Sequence, residues 1–401
     1  MPQKLSDFFQ NYITNESLFK NKKALQSNYT PKTAPYRQDQ IKQIASILAP
    51  SLRMEKPSNI FIYGKTGTGK TLVAKHVAES ILATAHENKI PLKIIYLNCK
   101  LKRIADTEYR LIAQLIRELG EEIPATGLPT DEVYKSFVKI LEKEKFMLII
   151  ILDEIDQLVS KTGDEILYNL TRLNSELTKS EISFIGISND LLFIDNVDPR
   201  VKSSLSEEEL VFPPYNALQL QKILKQRADL SFIETTIEEG VIEKCAAYAA
   251  REHGDARRAL DLLRVAGELA ERNGEKKVTI SYIDKAEEKI ERDRVFDIII
   301  TQPKQVKLTL YGIFTSCNNG EKGVFTGDIY SIYKDACIQS SIKPLTQRRI
   351  SDIIAELDML GIINAKVISK GRYGRTREIS LAIPPITSQN LRNLIKENLG
   401  L

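Results

Sequence analysis

The sequence predicts an α/β protein: a parallel-sheet domain, an all-helical segment after it, and a C-terminal winged helix-turn-helix. Three patterns predict this. Near-continuous apolar runs such as 146–152 alternate with helical stretches through the first half of the chain, which implies a parallel sheet buried on both faces. From Phe212-Pro213-Pro214 to about residue 294 the apolar spacing is helical throughout. Beyond residue 296, three helical segments precede two short strands joined by a Gly/Arg-rich turn.

Taken in order, residues 1–24 are polar and weakly periodic, a tail or a strap. Ile41, Ile44, Ala45 and Leu48 recur at helical spacing and predict a helix over 38–52. Strands at 59–63, 93–97, 146–152 and 182–188 alternate with helices over 71–87, 107–119 and 164–177. Helices at 218–228, 238–253, 255–273 and 281–293 follow, with Gly254-Asp255 and Asn273-Gly274 as stop and start signals. The terminal strands fall at 363–368 and 378–383. The expected domains are a tail (1–24), a parallel-sheet domain (25–211), an all-helical domain (212–295) and a winged helix (296–401).

Composition narrows the class. With 42% hydrophobic and 27% charged residues in 401, the chain reads as globular, with room for several cores. Cys99, Cys245, Cys317 and Cys337 stand far apart without a CxxC pair, and the three histidines (His76, His86, His253) are scattered. That argues against zinc or a disulfide framework and fits a reducing interior. No apolar run is long enough for a bilayer and no secretory leader is evident, so the expectation is a cytoplasmic protein without a membrane partner. Charge is uneven. From Ile298 onward there are fourteen Lys or Arg against eight Asp or Glu, whereas the preceding residues carry 43 against 45. A basic end on a near-neutral body suggests an acidic polymer as its partner.

The strongest local signal is Gly64-Lys65-Thr66-Gly67-Thr68-Gly69-Lys70-Thr71, which follows a predicted strand and opens a predicted helix. Such a loop turns its backbone N–H groups around phosphates, aided by the helix dipole. Lys70 supplies a point charge to the β- and γ-phosphates, and the Thr71 hydroxyl serves Mg²⁺. The run 147–152 then delivers Asp153-Glu154 to the C-terminal strand edge, where ligands of parallel sheets bind. Asp153 would hold the Mg²⁺ shell and Glu154 polarise the attacking water. The acidic pair could also cap the next helix. Asp156 reads as a helix-start residue.

At the basic end, 345–360 places an apolar stripe (Ile350, Ile353, Ile354, Leu357, Leu360) behind a polar start, Thr346-Gln347-Arg348-Arg349. Thr346 is the expected N-cap, and arginines in the first turn of a recognition helix meet base edges or phosphates. Cations disfavour a helix N-terminus, a cost that an anionic partner offsets. The hairpin tip holds Lys370, Arg372, Tyr373, Arg375 and Arg377, thin enough at its glycines to enter a DNA groove.

Several strings then narrow the reading: Asp153-Glu154-Ile155-Asp156, Tyr29-Thr30-Pro31 with Pro35-Tyr36-Arg37, Asp198-Pro199-Arg200-Val201-Lys202-Ser203-Ser204-Leu205, Pro214-Tyr215, and Gly254-Asp255-Ala256-Arg257-Arg258-Ala259-Leu260. With a helical lid and a winged helix, the chain resembles an AAA+ ATPase, and specifically the archaeal DNA replication initiators of the origin-recognition and Cdc-six type. The resemblance implies a weak ATPase with ATP/ADP and Mg²⁺ as a switch. It also implies duplex origin DNA, the replicative minichromosome-maintenance helicase and a paralogous initiator subunit as partners. Asn189 resembles the first sensor, and Arg257, or its neighbour Arg258, the second. Arg200 resembles the arginine finger, or is a surface ion-pair residue if the protein acts alone. Tyr215 and Arg227 resemble lid contacts to the nucleotide. Tyr29, Thr30, Pro31 and Arg37 would lie near adenine. Lys102, Arg103 and Arg110 fall where these initiators touch DNA with an extra helix. Other readings are a clamp-loader-like subunit, whose finger string differs from Asp198-Pro199-Arg200-Val201, and an ATP-dependent winged-helix transcriptional regulator.

Overall fold

Five strands, all paired in parallel, form the central sheet of the protein in the order β2-β3-β4-β1-β5: β1 (Ile60–Tyr63), β2 (Leu92–Asn98), β3 (Met147–Asp153), β4 (Glu181–Ser188) and β5 (Glu208–Val211). The computed structural model describes residues 17–26, 29, 31, 33–100, 106–124, 127–317, 324–369, 375–383 and 385–400. They divide into two units, Met1–Asp284 and Lys285–Leu401.

β3 shows why the sheet is covered twice. Met147, Ile149 and Ile151 bury on one face while Leu148, Ile150 and Leu152 bury on the other. Alternate strand residues point to opposite faces, so an unbroken apolar run requires helices on both. On one side α1 (Gln38–Leu48) and α2 (Lys70–Glu87) contribute Ile44, Leu48, Val73, Val77 and Ile81. On the other, α3 (Glu108–Glu118), α4 (Thr130–Leu141), α5 (Ile155–Thr162) and α6 (Glu165–Arg172) contribute Leu111, Phe137, Leu158 and Leu167. α7 (Phe193–Asn196) and α8 (Pro199–Leu205) connect β4 to β5.

Several elements depart from expectation, among them the short helices α5, α7 and α8, for which no range was predicted. The helix expected over 164–177 is α6 alone, cut short at Arg172. β5 was not predicted, because an edge strand needs only one apolar contact and Leu210 is its single buried residue. α4 was not predicted either, although Val133, Phe137 and Leu141 sit at helical spacing behind Asp131 and Glu132 in its first turn.

The helical part of the first unit comprises α9 (Ala217–Ser231), α10 (Val241–Arg251), α11 (Ala256–Arg272) and the start of α12 (Ile280–Thr301). Asn216 and Gln219 form a capping box on α9, and the Asp255 carboxylate caps α11 by accepting from the Arg257 and Arg258 N–H groups. Residues 17–26 are a strap on this helical part. The Lys20 and Asn21 N–H groups donate to the Ser231 carbonyl, and the Phe19 and Phe232 rings lie 4.5 Å apart. Gly267 makes room for that pair, since a Cβ there would lie 2.5 Å from the Phe19 ring.

The second unit contains the rest of α12, so residue 296 lies inside a continuous helix. It then runs through α13 (Lys304–Cys317), β6 (Val324–Phe325), α14 (Thr326–Gln339), α15 (Gln347–Met359), β7 (Ile363–Ser369), β8 (Arg375–Leu381) and α16 (Pro385–Leu399). The strands pair antiparallel in the order β6-β8-β7. Phe314, Tyr333, Ile350, Ile354, Leu357 and Ile379 form its core. α16 follows the hairpin and was not anticipated; it seals the core with Leu391 and Ile395. Leu360, expected in the apolar stripe of α15, is the C-cap and is 41% exposed.

A buried side chain joins three elements at the base of the sheet. Asn59 Nδ2 donates to the Ser204 carbonyl at 2.7 Å, and Asn59 Oδ1 accepts from the Phe184 N–H at 2.8 Å. Asn59→Ala leaves both groups unpaired, at about 1–3 kcal/mol each. The urea midpoint of the first unit should fall while the denaturant slope holds; an unchanged midpoint would show that water replaces both bonds.

Candidate functional site

The C-terminal ends of β1, β3 and β4 open into a cleft of about 550 Å³, within the range of nucleotide-sized sites. A second cavity, about 640 Å³ on the helical part, is lined by mixed charges such as Lys222, Lys225, Glu238 and Glu243 and holds none of the groups discussed below. In the cleft, Gly67 adopts a φ of +70°, and a Cβ there would collide with the Asp255 carboxylate. Only glycine meets both conditions. The loop ends at Lys70, which is 5% exposed. Its ammonium donates to the Gly64 carbonyl (2.6 Å), the Lys65 carbonyl (2.8 Å) and Asn189 Oδ1 (2.9 Å).

Across the cleft, Thr71 Oγ1 donates to Asp153 Oδ2 at 2.9 Å. Tyr96, on the neighbouring strand β2, donates its hydroxyl to the same oxygen at 2.6 Å. Glu154 caps α5 in the left-handed region (φ 55°), with Lys100 Nζ 3.7 Å from its carboxylate. Asp156 lies in the first turn of α5 and accepts from Ser188 Oγ (3.0 Å) and the Asn189 N–H (3.4 Å). Thus the helix-start residue also positions Asn189. A hydroxyl and a carboxylate in contact are hard oxygen donors, the set that suits Mg²⁺, and Thr71 with Asp153 could hold it.

The helical part closes the other wall. Arg257 lines the cleft, whereas Arg258 turns to Glu252, with Nε 3.1 Å from its carboxylate. The Ala256 N–H donates to the Gly67 carbonyl at 3.2 Å, tying the start of α11 to the phosphate loop. Arg227 stacks 4.3 Å from the Tyr29 ring and donates to the Tyr29 carbonyl, while its buried Nη1 has no partner among the described residues. Tyr29, Pro31 and Arg227 thus line the same cleft as Thr68, Gly69, Lys70, Thr71, Asp153, Glu154 and Asn189, and Tyr215 lies beside the phosphate loop, where a Cβ on Gly69 would come within 2.9 Å of its hydroxyl.

Some expected residues lie elsewhere. Arg37, placed near adenine by resemblance, sits behind the phosphate loop, outside the cleft lining. Its Nε donates to the Thr68 carbonyl (2.9 Å), its Nη2 to the Pro213 carbonyl, and it stacks 4.0 Å from the Tyr215 ring. Lys65 and Thr66 face outward, Lys65 toward His253 Nδ1 at 3.2 Å. Arg200 is exposed, away from this cleft, and forked onto the Asp198 carboxylate at 2.9 and 3.0 Å. Thr30 lies outside the described residues. Tyr96 and Arg37 escaped sequence reasoning in their actual roles because each acts on a group far away along the chain.

In the second unit, Thr346 caps α15 by accepting from the Arg349 N–H, and Gln347, Arg348 and Arg349 are exposed in its first turn. Arg349 reaches Asp352 and Glu356 at 3.7 and 3.8 Å. Arg377 does not project freely; its guanidinium donates to the Ser351 carbonyl and fastens β8 to α15. Arg375 opens β8. Lys370, Arg372, Tyr373, Lys102 and Arg103 lie outside the described residues. Arg110 is exposed in the first turn of α3, paired with Asp106 at 3.4 Å. Among the described residues no helix is long and apolar enough to cross a membrane.

Burial pushes the Lys70 ammonium down to about 8, with Asp153 opposing the fall and Arg257 adding to it. The unfolded lysine holds its proton to higher pH, so the free protein gains stability from this group as pH rises from about 8 toward the ordinary value of 10.5. A polyphosphate seated against the ammonium draws the pKa back up. Binding of ADP should therefore take up a proton at about pH 9 and almost none at about pH 7. Calorimetry in buffers of different ionisation enthalpy reads this directly, and Lys70→Met should abolish it.

Comparison with known proteins agrees with this arrangement. Family models match an AAA domain over residues 53–199, a Cdc6 AAA+ ATPase-type lid domain over 221–288, and a CDC6 C-terminal winged helix domain over 297–389. The chain is 54% identical over 391 residues to the ORC1-type DNA replication protein of Pyrococcus horikoshii, covering 96% of this chain and 93% of that one. The solved Aeropyrum pernix ORC1 protein in complex with DNA matches with a TM-score of 0.81 at 44% identity, over 96% of this chain and 98% of that one. The Aeropyrum pernix ORC2 protein, solved as ADPNP-ADP complexes, matches with a TM-score of 0.61 at 25% identity, over 96% and 100%. Identity above one half along nearly the whole chain, together with a matching sheet, lid and winged helix, places this protein in the family of ORC1-type DNA replication proteins.

Proposed function

We propose that the protein binds ATP with Mg²⁺ in the cleft, hydrolyses it slowly to ADP and phosphate, and grips duplex DNA at replication origins through the winged helix. The nucleotide acts as the switch, and recruitment of the replicative helicase, with or without a paralogous subunit, is the output. The observation that carries the reading is the convergence of Lys70, Thr71, Asp153, Glu154 and Asn189 on one cleft, in a chain whose other end presents Arg348 and Arg349 at an exposed helix start. A relative solved with DNA and another solved with ADPNP and ADP support it. The same division of labour supports domains at 25–211, 212–295 and 296–401, and a cytoplasmic, nucleoid-associated protein.

In this reading the base lies by Tyr29, Pro31 and Arg227, with Arg227 Nη1, which has no partner among the described residues, as a ready donor, and Tyr215 flanks the phosphate loop at Gly69. The Lys70 ammonium exchanges carbonyl partners for phosphate oxygens and supplies charge where negative charge builds up. Mg²⁺, when bound, neutralises the phosphates, and Thr71 and Asp153 would hold it. Glu154 orients and polarises the water, and Asn189, held by Asp156, donates its amide to it or to the γ-phosphate. Arg257 reads the phosphates from α11 and transmits the state of the site to the lid. Arg200, parked on Asp198, is free to serve a neighbouring subunit's site.

Footprinting on chromosomal DNA tests the assignment: protection at origin repeats is expected, and protection at promoters alone would make the protein a transcriptional regulator. Lys70→Ala should abolish nucleotide binding while sparing most DNA affinity. Arg348→Ala with Arg349→Ala should weaken specific duplex more than random duplex, by about 1–3 kcal/mol for each base edge that is no longer read. A uniform loss with a shallower salt slope would mean that both arginines touch only phosphates.

A further inference from the structure

A carboxylate as buried as that of Asp153 (4% exposed) must have its oxygens satisfied by protein donors. Three reach it. The Glu154 N–H donates to Oδ1 at 3.0 Å, and Thr71 Oγ1 and Tyr96 Oη both donate to Oδ2, at 2.9 and 2.6 Å. The first belongs to the next residue's backbone and the second to the phosphate loop. The third comes from β2, whose register sets Asn98 beside Asp153 and so brings Tyr96 within reach. Two hydroxyls on Oδ2 fix the rotation of the carboxylate and leave the second lone pair of Oδ1 as its open acceptor.

Tyr96 is itself held in place. Lys75 lies one turn beyond Thr71 on the same face of α2, and its ammonium sits 3.7 Å from the Tyr96 ring centroid. Both side chains line the cleft and neither belongs to the phosphate-loop pattern. Burial, with the bond to Asp153, holds the phenol above its ordinary pKa, so it remains a donor at physiological pH.

Building on the Mg²⁺-nucleotide reading of this site, we propose that Tyr96 is a positioning residue for its metal end: its hydroxyl orients Asp153 toward the ion, and Lys75 fixes the ring that carries that hydroxyl. Removing such an outer partner of a metal-holding group lowers metal affinity about 10–100-fold.

The test uses the full chain with Tyr96→Phe, which keeps the ring and deletes only the donor. ADP affinity is measured by calorimetry in EDTA and across a Mg²⁺ titration, and Mn²⁺ bound with ADP is counted by electron paramagnetic resonance. The expected result is unchanged affinity in EDTA, a half-saturating Mg²⁺ concentration raised about tenfold, and an unchanged melting temperature without nucleotide. Lys75→Met should shift the Mg²⁺ requirement the same way by less, and add nothing on top of Tyr96→Phe. An equal Mg²⁺ requirement in wild type and Tyr96→Phe, an equal loss with and without metal, or additive effects of the two substitutions would overturn the proposal. Wild type that binds ADP without regard to Mg²⁺ would overturn the metal reading of the site as well.

Discussion

Burying the Lys70 ammonium at the edge of a parallel sheet strips it of water, and the protein must return what the water supplied. Two carbonyls of the phosphate loop and the Asn189 amide oxygen do so. From that requirement much of the site follows. The loop must curl back on itself to present the Gly64 and Lys65 carbonyls, and Asn189 must stand at the end of β4. Asp156 accepts from the backbone N–H of Asn189 and from its neighbour Ser188, and so keeps it there. These partners satisfy the charge without matching a polyphosphate, so the ammonium is held ready yet exchangeable. Burial holds its pKa below the ordinary lysine value.

The same loop is tied to the helical part that lines the other wall of the cleft. The Ala256 N–H bonds to the Gly67 carbonyl, the Asp255 carboxylate packs against Gly67, and Arg37 joins the Thr68 carbonyl to that of Pro213. The phosphate loop is therefore bonded both to Pro213, at the entry to the helical segment, and to the start of α11 within it. The strap of residues 17–26 adds to this. It packs on Ser231, Phe232 and Gly267, and Tyr29 in turn accepts from Arg227 of α9, so this stretch of the N-terminal segment is bound to the helical part.

In the second unit, local sequence and packing work to different ends. The stripe of Ile350, Ile353, Ile354 and Leu357 fixes α15 against the core and leaves Gln347, Arg348 and Arg349 in its outward first turn. Arg377 shows that a basic residue near a hairpin need not be a surface charge. Its bond to the Ser351 carbonyl holds the wing strand at a set angle to the helix beside it. Positive charge and rigid presentation are thus supplied by different arginines.

Short-range patterns were legible in the sequence because their physics is local. The phosphate loop, the acidic pair closing β3, the caps at Asp255 and Thr346, and the two-faced apolar strands all declare themselves within a few residues. α4 and α16 carried the same kind of signal but lay outside the alternation that organised the reading, and β5, with one buried residue, carried almost none. What only the tertiary structure decided are contacts between groups distant along the chain: Tyr96 on Asp153, Arg37 bridging Thr68 to Pro213, Arg257 rather than Arg258 lining the cleft, and Arg200 folded onto Asp198. Each depends on strand order, register or the direction in which a side chain leaves a helix, and these are set by the packing of the whole sheet and its helices, where no local pattern reaches.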